Sequence, residues 1–251
     1  MKKNILYLLL ILLAGTVVFP QHNLAAAVVS PQQSFYTSLS QLLQRHVQQG
    51  QVNYKSLQQD KTSLQKLVQQ VGEYDLSKAS AAEKKAFYIN AYNVLVLQQV
   101  LEHYPLKSVM DVKGFFDVKQ YNVAGQRLTL NQLEKQKLLE PYKDARVHFA
   151  VVCAAKSCPP LLNEAYTPEK IERQLQAQAE RTLRSNQFIQ IQPKTQKVLV
   201  SEIFNWYKAD FLQDSNSLLS YINRFRSQPV PATYEMGFYT YNWQLNDTAK
   251  K

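Results

Sequence analysis

Across residues 86–97 the chain reads Ala-Phe-Tyr-Ile-Asn-Ala-Tyr-Asn-Val-Leu-Val-Leu, apolar in every helical direction except at Asn90 and Asn93. A helix with no polar face has to be wrapped by other elements, and this run is too short to span a bilayer. The chain is therefore predicted to build its core around a central helix, whose start is marked by the capping-box pair Ser80 and Glu83. Asn90 and Asn93 sit on neighbouring parts of one helical face. Buried there, each amide must be hydrogen-bonded or cost about 1–3 kcal/mol. They serve either as a network tying the helix to loop backbone or as the polar wall of a cleft.

The flanking sequence supplies the wrapping. Phe35, Leu39, Leu42, Leu43 and Val47 recur at helical spacing after Ser30-Pro31, and Gly50 suits the end of that helix. A second helix is predicted over residues 55–71, ending at Gly72. Residues 119–130 read as a hairpin turning at Ala124-Gly125, and Thr129 with Gln132 caps a helix over residues 130–139. Residues 147–152 are a compact apolar run, read as a strand. Thr167-Pro168 opens a helix to Arg184, and a hairpin over residues 188–200 turns near Pro193. Helices over residues 201–211 and 218–225 follow, and then an extended aromatic tail over residues 234–243. This pattern predicts an α+β fold: a mainly helical single domain, residues 28–251, with a small antiparallel sheet and β-hairpins.

Residues 1–27 read as a secretory signal peptide. Lys2 and Lys3 precede an apolar run over residues 5–19, and Ala25-Ala26-Ala27 offers a small-residue cleavage site. The mature chain is then exported, to the periplasm or the extracellular space, with no transmembrane anchor after cleavage. The formal net charge is +10, with the basic residues scattered. An exported basic chain is not expected to meet nucleic acid. The charge is read first as a solvated basic surface, and a small molecule, a peptide or an anionic envelope polymer is the expected partner where there is one. Six glycines, with no GxGxxG, P-loop or GxSxG pattern, exclude a nucleotide cradle or a nucleophile elbow as motifs. Two cysteines cannot build a Cys₄ zinc site, and no metal or cofactor is expected.

Chemistry concentrates in one segment, Arg146-Val-His148-Phe-Ala-Val-Val-Cys153-Ala-Ala-Lys156-Ser157-Cys158-Pro159-Pro160. Cys153 is a candidate nucleophile and His148 a candidate base. If the run between them is a strand, they stand roughly 16 Å apart and on opposite faces, so the pair works only if the strand ends early and folds back. In an oxidising compartment Cys153 and Cys158 are also candidates for a local disulfide, which would block the nucleophile. A redox role is a weaker reading, because the spacing is C-x₄-C and not C-x-x-C. His46 and His103 are placed on helix surfaces. The carboxylates, among them Glu134, Glu140, Asp144 and Asp210, show no spacing that marks an acid–base pair.

Several segments together resemble the family catalogued as domain of unknown function 547. They are Ala-Phe-Tyr-Ile-Asn-Ala-Tyr-Asn from Ala86, Leu-Thr-Leu-Asn-Gln-Leu-Glu from Leu128, the Arg146 to Pro160 stretch, and Ile203-Phe-Asn-Trp-Tyr207 with Asp210-Phe211. The resemblance covers about residues 52–212. Its pattern of Asn, Glu, His and Cys implies a polar site, of the kind that a papain-like or transglutaminase-like thiol hydrolase carries. The family usually has His after the Glu of the second segment, where this chain has Lys135. If that His were the base, this chain would lack it.

Three functional expectations follow. The leading one is an envelope-associated binding or accessory role through a polar cleft. Asn90, Asn93, Arg146, Lys156 and Ser157 would bind, beside Glu134, His148 and the Cys153 loop. The second is a cysteine-dependent hydrolase or acyl transferase using Cys153, His148 and Glu134. The third is a structural protein with an inert Cys153–Cys158 bridge.

Overall fold

A computed structural model of the chain describes residues 31–248. The signal peptide expected over residues 1–27 and the Ser30 cap lie outside them. Helix α1 (Pro31–His46) buries the stripe Phe35, Leu39, Leu42 and Leu43. A short hairpin follows, β1 (Val47–Gln48) with β2 (Gln51–Val52). Its turn holds Gly50 at φ +84°, and a Cβ there would stand 2.2 Å from the Cβ of Pro160. Left-handed backbone and close approach together require glycine at that position.

The helix expected over residues 55–71 is two, α2 (Tyr54–Gln59) and α3 (Lys61–Glu73). Asp60 sits at the break, and its carboxylate accepts hydrogen bonds from Arg45 at 2.8 Å and Ser63 at 2.5 Å. His46 is not a surface residue: it is 5% exposed, with one ring nitrogen 3.0 Å from Asp60 and the other 3.0 Å from Ser56.

Helix α4 (Ala81–Glu102) is the central helix, and residues 85–97 are all buried. The Ser80 hydroxyl caps it, accepting the Glu83 N–H at 3.1 Å. Among the described residues no helix is long and apolar enough to cross a membrane. Strands β3 (Tyr121–Val123) and β4 (Gln126–Leu128) form the expected hairpin. Ala124 and Gly125 both have positive φ, +48° and +79°, the requirement of a tight two-residue hairpin turn. That turn docks on the end of α3 through Ala124 N–H to Val71 O at 2.9 Å. Thr129 and Gln132 then cap each other reciprocally and open α5 (Leu130–Glu134). The helix widens to a π-turn over Lys135–Leu139 before ending in α6 (Glu140–Tyr142).

Residues 147–152 do not form the expected strand. Ala145–Phe149 is a 3₁₀ turn, and the chain beyond it is irregular. The reason lies in burial and in backbone partners. Val147, Phe149, Val151 and Val152 are all buried, so no alternation of faces exists for a sheet to exploit. The backbone here bonds to a side chain instead of a neighbouring strand. Asn93 Nδ2 donates to Ala150 O at 3.0 Å, and Asn93 Oδ1 accepts the Val152 N–H at 3.0 Å.

Helix α7 (Ile171–Leu183) precedes the hairpin β5 (Ile189–Gln192) and β6 (Lys197–Ser201). The helix expected over residues 201–211 breaks at Tyr207 into α8 (Ile203–Trp206) and α9 (Lys208–Phe211). After α10 (Leu218–Asn223), strand β7 (Glu235–Tyr239) joins β6 in parallel, adding a pairing to the sheet that the hairpins alone do not predict. The result is an α+β fold, predominantly helical with small sheets. Among the described residues the core has two apolar clusters. One surrounds α4, and the other gathers Phe149, Phe204 and Phe211 with β5, β6 and α10. Cys158 and Trp243 pack against both, so the seam between the clusters runs through the thiol loop and the C-terminal tail.

Candidate functional site

A cavity of about 180 Å³ opens at that seam. Elements distant in sequence supply its walls. Helix α4 contributes Tyr92, and the end of α5 contributes Glu134. The 3₁₀ turn gives His148, and the loop after it gives Cys153 and Cys158. The α8–α9 break provides Trp206 and Tyr207, and the tail beyond β7 provides Tyr241 and Trp243.

His148 is 3% exposed and lies between two carboxyl groups. Its Nε2 is 2.8 Å from Asp210 Oδ2, and its Nδ1 is 3.9 Å from Glu134 Oε1. The hydrogen bond from His148 holds the Asp210 carboxyl below its ordinary range, against partial burial. An ionised carboxylate can only accept, so Nε2–H is the donor to Asp210, and Nδ1 faces Glu134. The Tyr207 ring covers His148, centroids 4.1 Å apart. Burial pushes the Glu134 carboxyl up; the charge of His148 and a hydrogen bond from Tyr207 only partly offset it. The two carboxyl groups around one imidazole are thus driven in opposite directions.

The sign of the Glu134 shift gives a testable outcome. A raised carboxyl contributes stability that is present below its unfolded pKa and lost as pH rises through the folded one. Glu134→Gln is therefore expected to raise the melting temperature at pH 8 relative to the unsubstituted protein, with the gain disappearing at pH 4. Thermal unfolding across that range checks it, and a gain that grows toward acid would contradict the assignment.

Cys153 and Cys158 are both free thiols, so the expected local disulfide is not formed. Cys153 Sγ lies 3.2 Å from the Tyr241 hydroxyl, and the Cys153 N–H donates to Cys158 Sγ at 3.0 Å. The loss of the strand also removes the opposite-face argument: His148 and Cys153 line one cavity. They are not a bonded pair, since His148 Nε2 is committed to Asp210 and Nδ1 faces Glu134.

The other expected site residues lie elsewhere. Asn90 spends its amide on loop backbone as Asn93 does, donating to Tyr166 O at 2.7 Å and accepting the Tyr166 N–H at 3.0 Å. Both are structural clamps, and neither lines the seam cavity. Arg146 belongs to an ion-pair cluster with Asp144 and Glu172. Lys156 and Ser157 face a separate cavity of about 250 Å³, where Lys156 Nζ donates to Gln244 at 3.0 Å. Lys135 is exposed and does not line the seam cavity, so the position where the family usually has His is not beside Cys153. Among the described residues no cluster of three or more His, Cys, Asp or Glu side chains is placed to hold a metal ion.

Sequence reasoning missed Tyr207, Asp210, Tyr241 and both tryptophans as site residues. Trp206, Tyr207 and Asp210 had a signal, because they fall in the segment that resembles the family. The tail aromatics had none beyond their density.

Fold and site together define an α+β domain with a histidine- and thiol-bearing cavity at the seam of two apolar clusters. Residues 76–183 match the family described as "Protein of unknown function, DUF547", and this part of the chain is a domain of that family. The matched span contains Glu134, His148 and both cysteines, while Asp210, Tyr241 and Trp243 lie beyond it. No curated protein and no solved structure matches the chain.

Proposed function

We propose that the domain is the binding module of an exported, envelope-associated protein, and that it holds a small hydroxyl- or amine-bearing ligand in the seam cavity. The observation that carries this reading is the 3.9 Å gap between His148 Nδ1 and Glu134 Oε1. The gap is too long for a direct hydrogen bond. One polar ligand group placed between the two can bond to both. The aromatic wall of Trp206, Tyr241 and Trp243 would pack against the apolar face of the same ligand. Trp206 and Trp243 stack with centroids 5.7 Å apart, and Trp206 is 46% exposed, so a ligand can reach it. At about 180 Å³ the cavity is smaller than the roughly 300–1,000 Å³ of most small-molecule pockets. It suits a single ring or one side chain rather than a large cofactor.

The chain's only two tryptophans both line this cavity, so intrinsic fluorescence reports on it selectively. Titration with N-acetylglucosamine, glucosamine and Nα-acetyl-lysine, thiols kept reduced, is expected to give a saturable change for at least one probe. Glu134→Gln and Trp206→Ala should each weaken that probe about tenfold, equivalent to about 1.4 kcal/mol. A flat response to all three probes, or full affinity in Glu134→Gln, would overturn the proposal.

A second reading is a cysteine-dependent hydrolase or acyl transferase, favoured by the position of Cys153 on the same cavity as His148 and Glu134. It requires the His148 ring to leave Asp210 and turn to the thiol. It also lacks the helix N-terminus that often acidifies a catalytic thiol, because Cys153 sits in a loop and the next helix starts at Ile171. The papain-like expectation rests on this reading alone.

A further inference from the structure

The two thiols form an unequal pair, brought together by the loop between them. Ala154 takes φ +60°, turning the chain back immediately after Cys153. For a residue with a Cβ that conformation costs about 1–2 kcal/mol. The Cys158 N–H donates to Ala155 O at 3.1 Å and closes the turn. The C-terminal tail then fastens the loop along its length. Lys156 N–H donates to Gln244 O at 2.8 Å, Asn246 N–H to Ala154 O at 2.9 Å, and Asn242 N–H to Ser157 Oγ at 2.9 Å. Both sulfurs are thus fixed side by side before any bond joins them, and both line the seam cavity.

The pair is also chemically asymmetric. The hydrogen bond from Cys158, helped by Tyr241, draws the Cys153 thiol below its ordinary range against burial. Burial pushes the Cys158 thiol up. A more acidic thiol and a less acidic neighbour match the roles of attacking and resolving cysteine in disulfide exchange.

We infer that Cys153 and Cys158 form a dithiol that reduces disulfides of peptides or low-molecular-weight thiols entering the seam cavity, a thiol–disulfide exchange activity. In the first step the Cys153 thiolate attacks one sulfur of the substrate R–S–S–R′. A Cys153–S–S–R bond forms, the substrate S–S bond breaks, and R′S⁻ leaves to take up a proton. Cys158, having lost its proton to solvent, then attacks Cys153 Sγ. The internal Cys153–Cys158 disulfide forms and RS⁻ leaves and is protonated. Two electrons pass from the protein dithiol to the substrate disulfide, giving RSH and R′SH. Tyr241, 3.2 Å from Cys153 Sγ, stabilises the thiolate both before attack and as the leaving group of the reverse reaction.

The activity is independent of the hydroxyl or amine ligand proposed above, and the two fail separately. Exchange is read by mass, and ligand binding by fluorescence with both thiols reduced. The experiment treats the purified reduced protein with oxidised glutathione, quenches in acid, blocks free thiols with N-ethylmaleimide and weighs the intact chain. The unsubstituted protein is expected to lose two hydrogens and take up neither glutathione nor maleimide. Cys158→Ser should accumulate one glutathione on Cys153, and Cys153→Ser should react at least about tenfold more slowly. Circular dichroism establishes that each variant is folded, and Cys158→Ala replaces Cys158→Ser if the serine disturbs the loop. A stable glutathione adduct on the unsubstituted protein, or equal rates in the two single variants, would overturn the inference.

Discussion

Asn93→Ala is expected to destabilise the fold by about 3–4 kcal/mol and to lower its melting temperature by roughly 10 °C. Asn93 is 4% exposed on α4 and makes two hydrogen bonds, both to backbone of the segment that carries the site. Alanine leaves the Ala150 carbonyl and the Val152 N–H without their partner in a dry interior. Each such group costs its own desolvation, about 1–3 kcal/mol, and no neighbouring strand stands ready to replace the lost bonds. Asn93→Asp tests the mechanism further. Its carboxylate can still accept the Val152 N–H but sets a second acceptor against the Ala150 carbonyl, so the destabilisation should match or exceed that of alanine. The exposed Gln69 serves as the control, because Gln69→Ala removes only a surface hydrogen bond to Glu73 and should stay within about 0.5 kcal/mol. Since residues 150–152 join His148 to Cys153, Asn93→Ala should also speed alkylation of Cys153. A loss below about 1 kcal/mol by thermal or urea unfolding would show that the segment does not depend on the clamp.

The same residue marks how far the sequence could be read. Local signals were legible wherever the cause was local. Ser80 caps α4, Thr129 and Gln132 cap each other, and the Ala124-Gly125 turn closes its hairpin, because each depends on residues within one turn of the chain. The burial of α4 was legible because its composition leaves no polar face. The run over residues 147–152 was misread because its apolar character reflects burial in a packed interior, not membership of a sheet. Burial on all sides looks alike in one dimension, and the Asn93 amide that replaces a strand lies far away in sequence. Asp60 splits the predicted second helix for a comparable reason, since its partners Arg45 and His46 come from α1. At the site, Glu134, His148 and Cys153 were found because they share chemistry-bearing types and family-like segments. Tyr207 shared the family-like segment with Asp210 but carried no chemistry that marked it, and Tyr241 was missed because an aromatic residue near a thiol has no sequence signature. Only the fold brings the α8–α9 break and the tail to the same cavity.

Asp144→Ala is expected to destabilise by about 3 kcal/mol at pH 7, near the lower end of the roughly 3–5 kcal/mol found when a buried ion pair loses one partner. The Asp144 side chain is 11% exposed and caps the 3₁₀ turn that carries His148, accepting the Arg146 N–H at 3.1 Å. It also accepts Arg146 Nε at 2.9 Å and Nη2 at 2.8 Å, and Lys85 Nζ at 3.2 Å. Glu172 touches both cations, at 2.6 Å and 3.1 Å, but its side chain is 64% exposed. Removing Asp144 thus leaves Lys85, 11% exposed, with one solvated partner and the turn without its cap. Removing Glu172 leaves the buried pairs intact, so Glu172→Gln should cost less than about 1 kcal/mol. The pH dependence separates charge from capping. Burial raises the Asp144 carboxyl, but hydrogen bonds and charge from Arg146 and Lys85 outweigh it and hold it below the ordinary carboxylate range. A depressed carboxyl contributes stability that is present above its unfolded pKa, about 4, and lost as pH falls through the folded value. The difference between Asp144→Asn and the unsubstituted protein should therefore be full at pH 7 and shrink below about pH 4. Asparagine can still accept the Arg146 N–H, so the residual difference between Asp144→Asn and Asp144→Ala in acid measures the cap alone. Equal losses for Asp144→Ala and Glu172→Gln, or a difference that does not vary with pH, would show that the cluster is a solvated surface network and that the turn beneath His148 is held by packing.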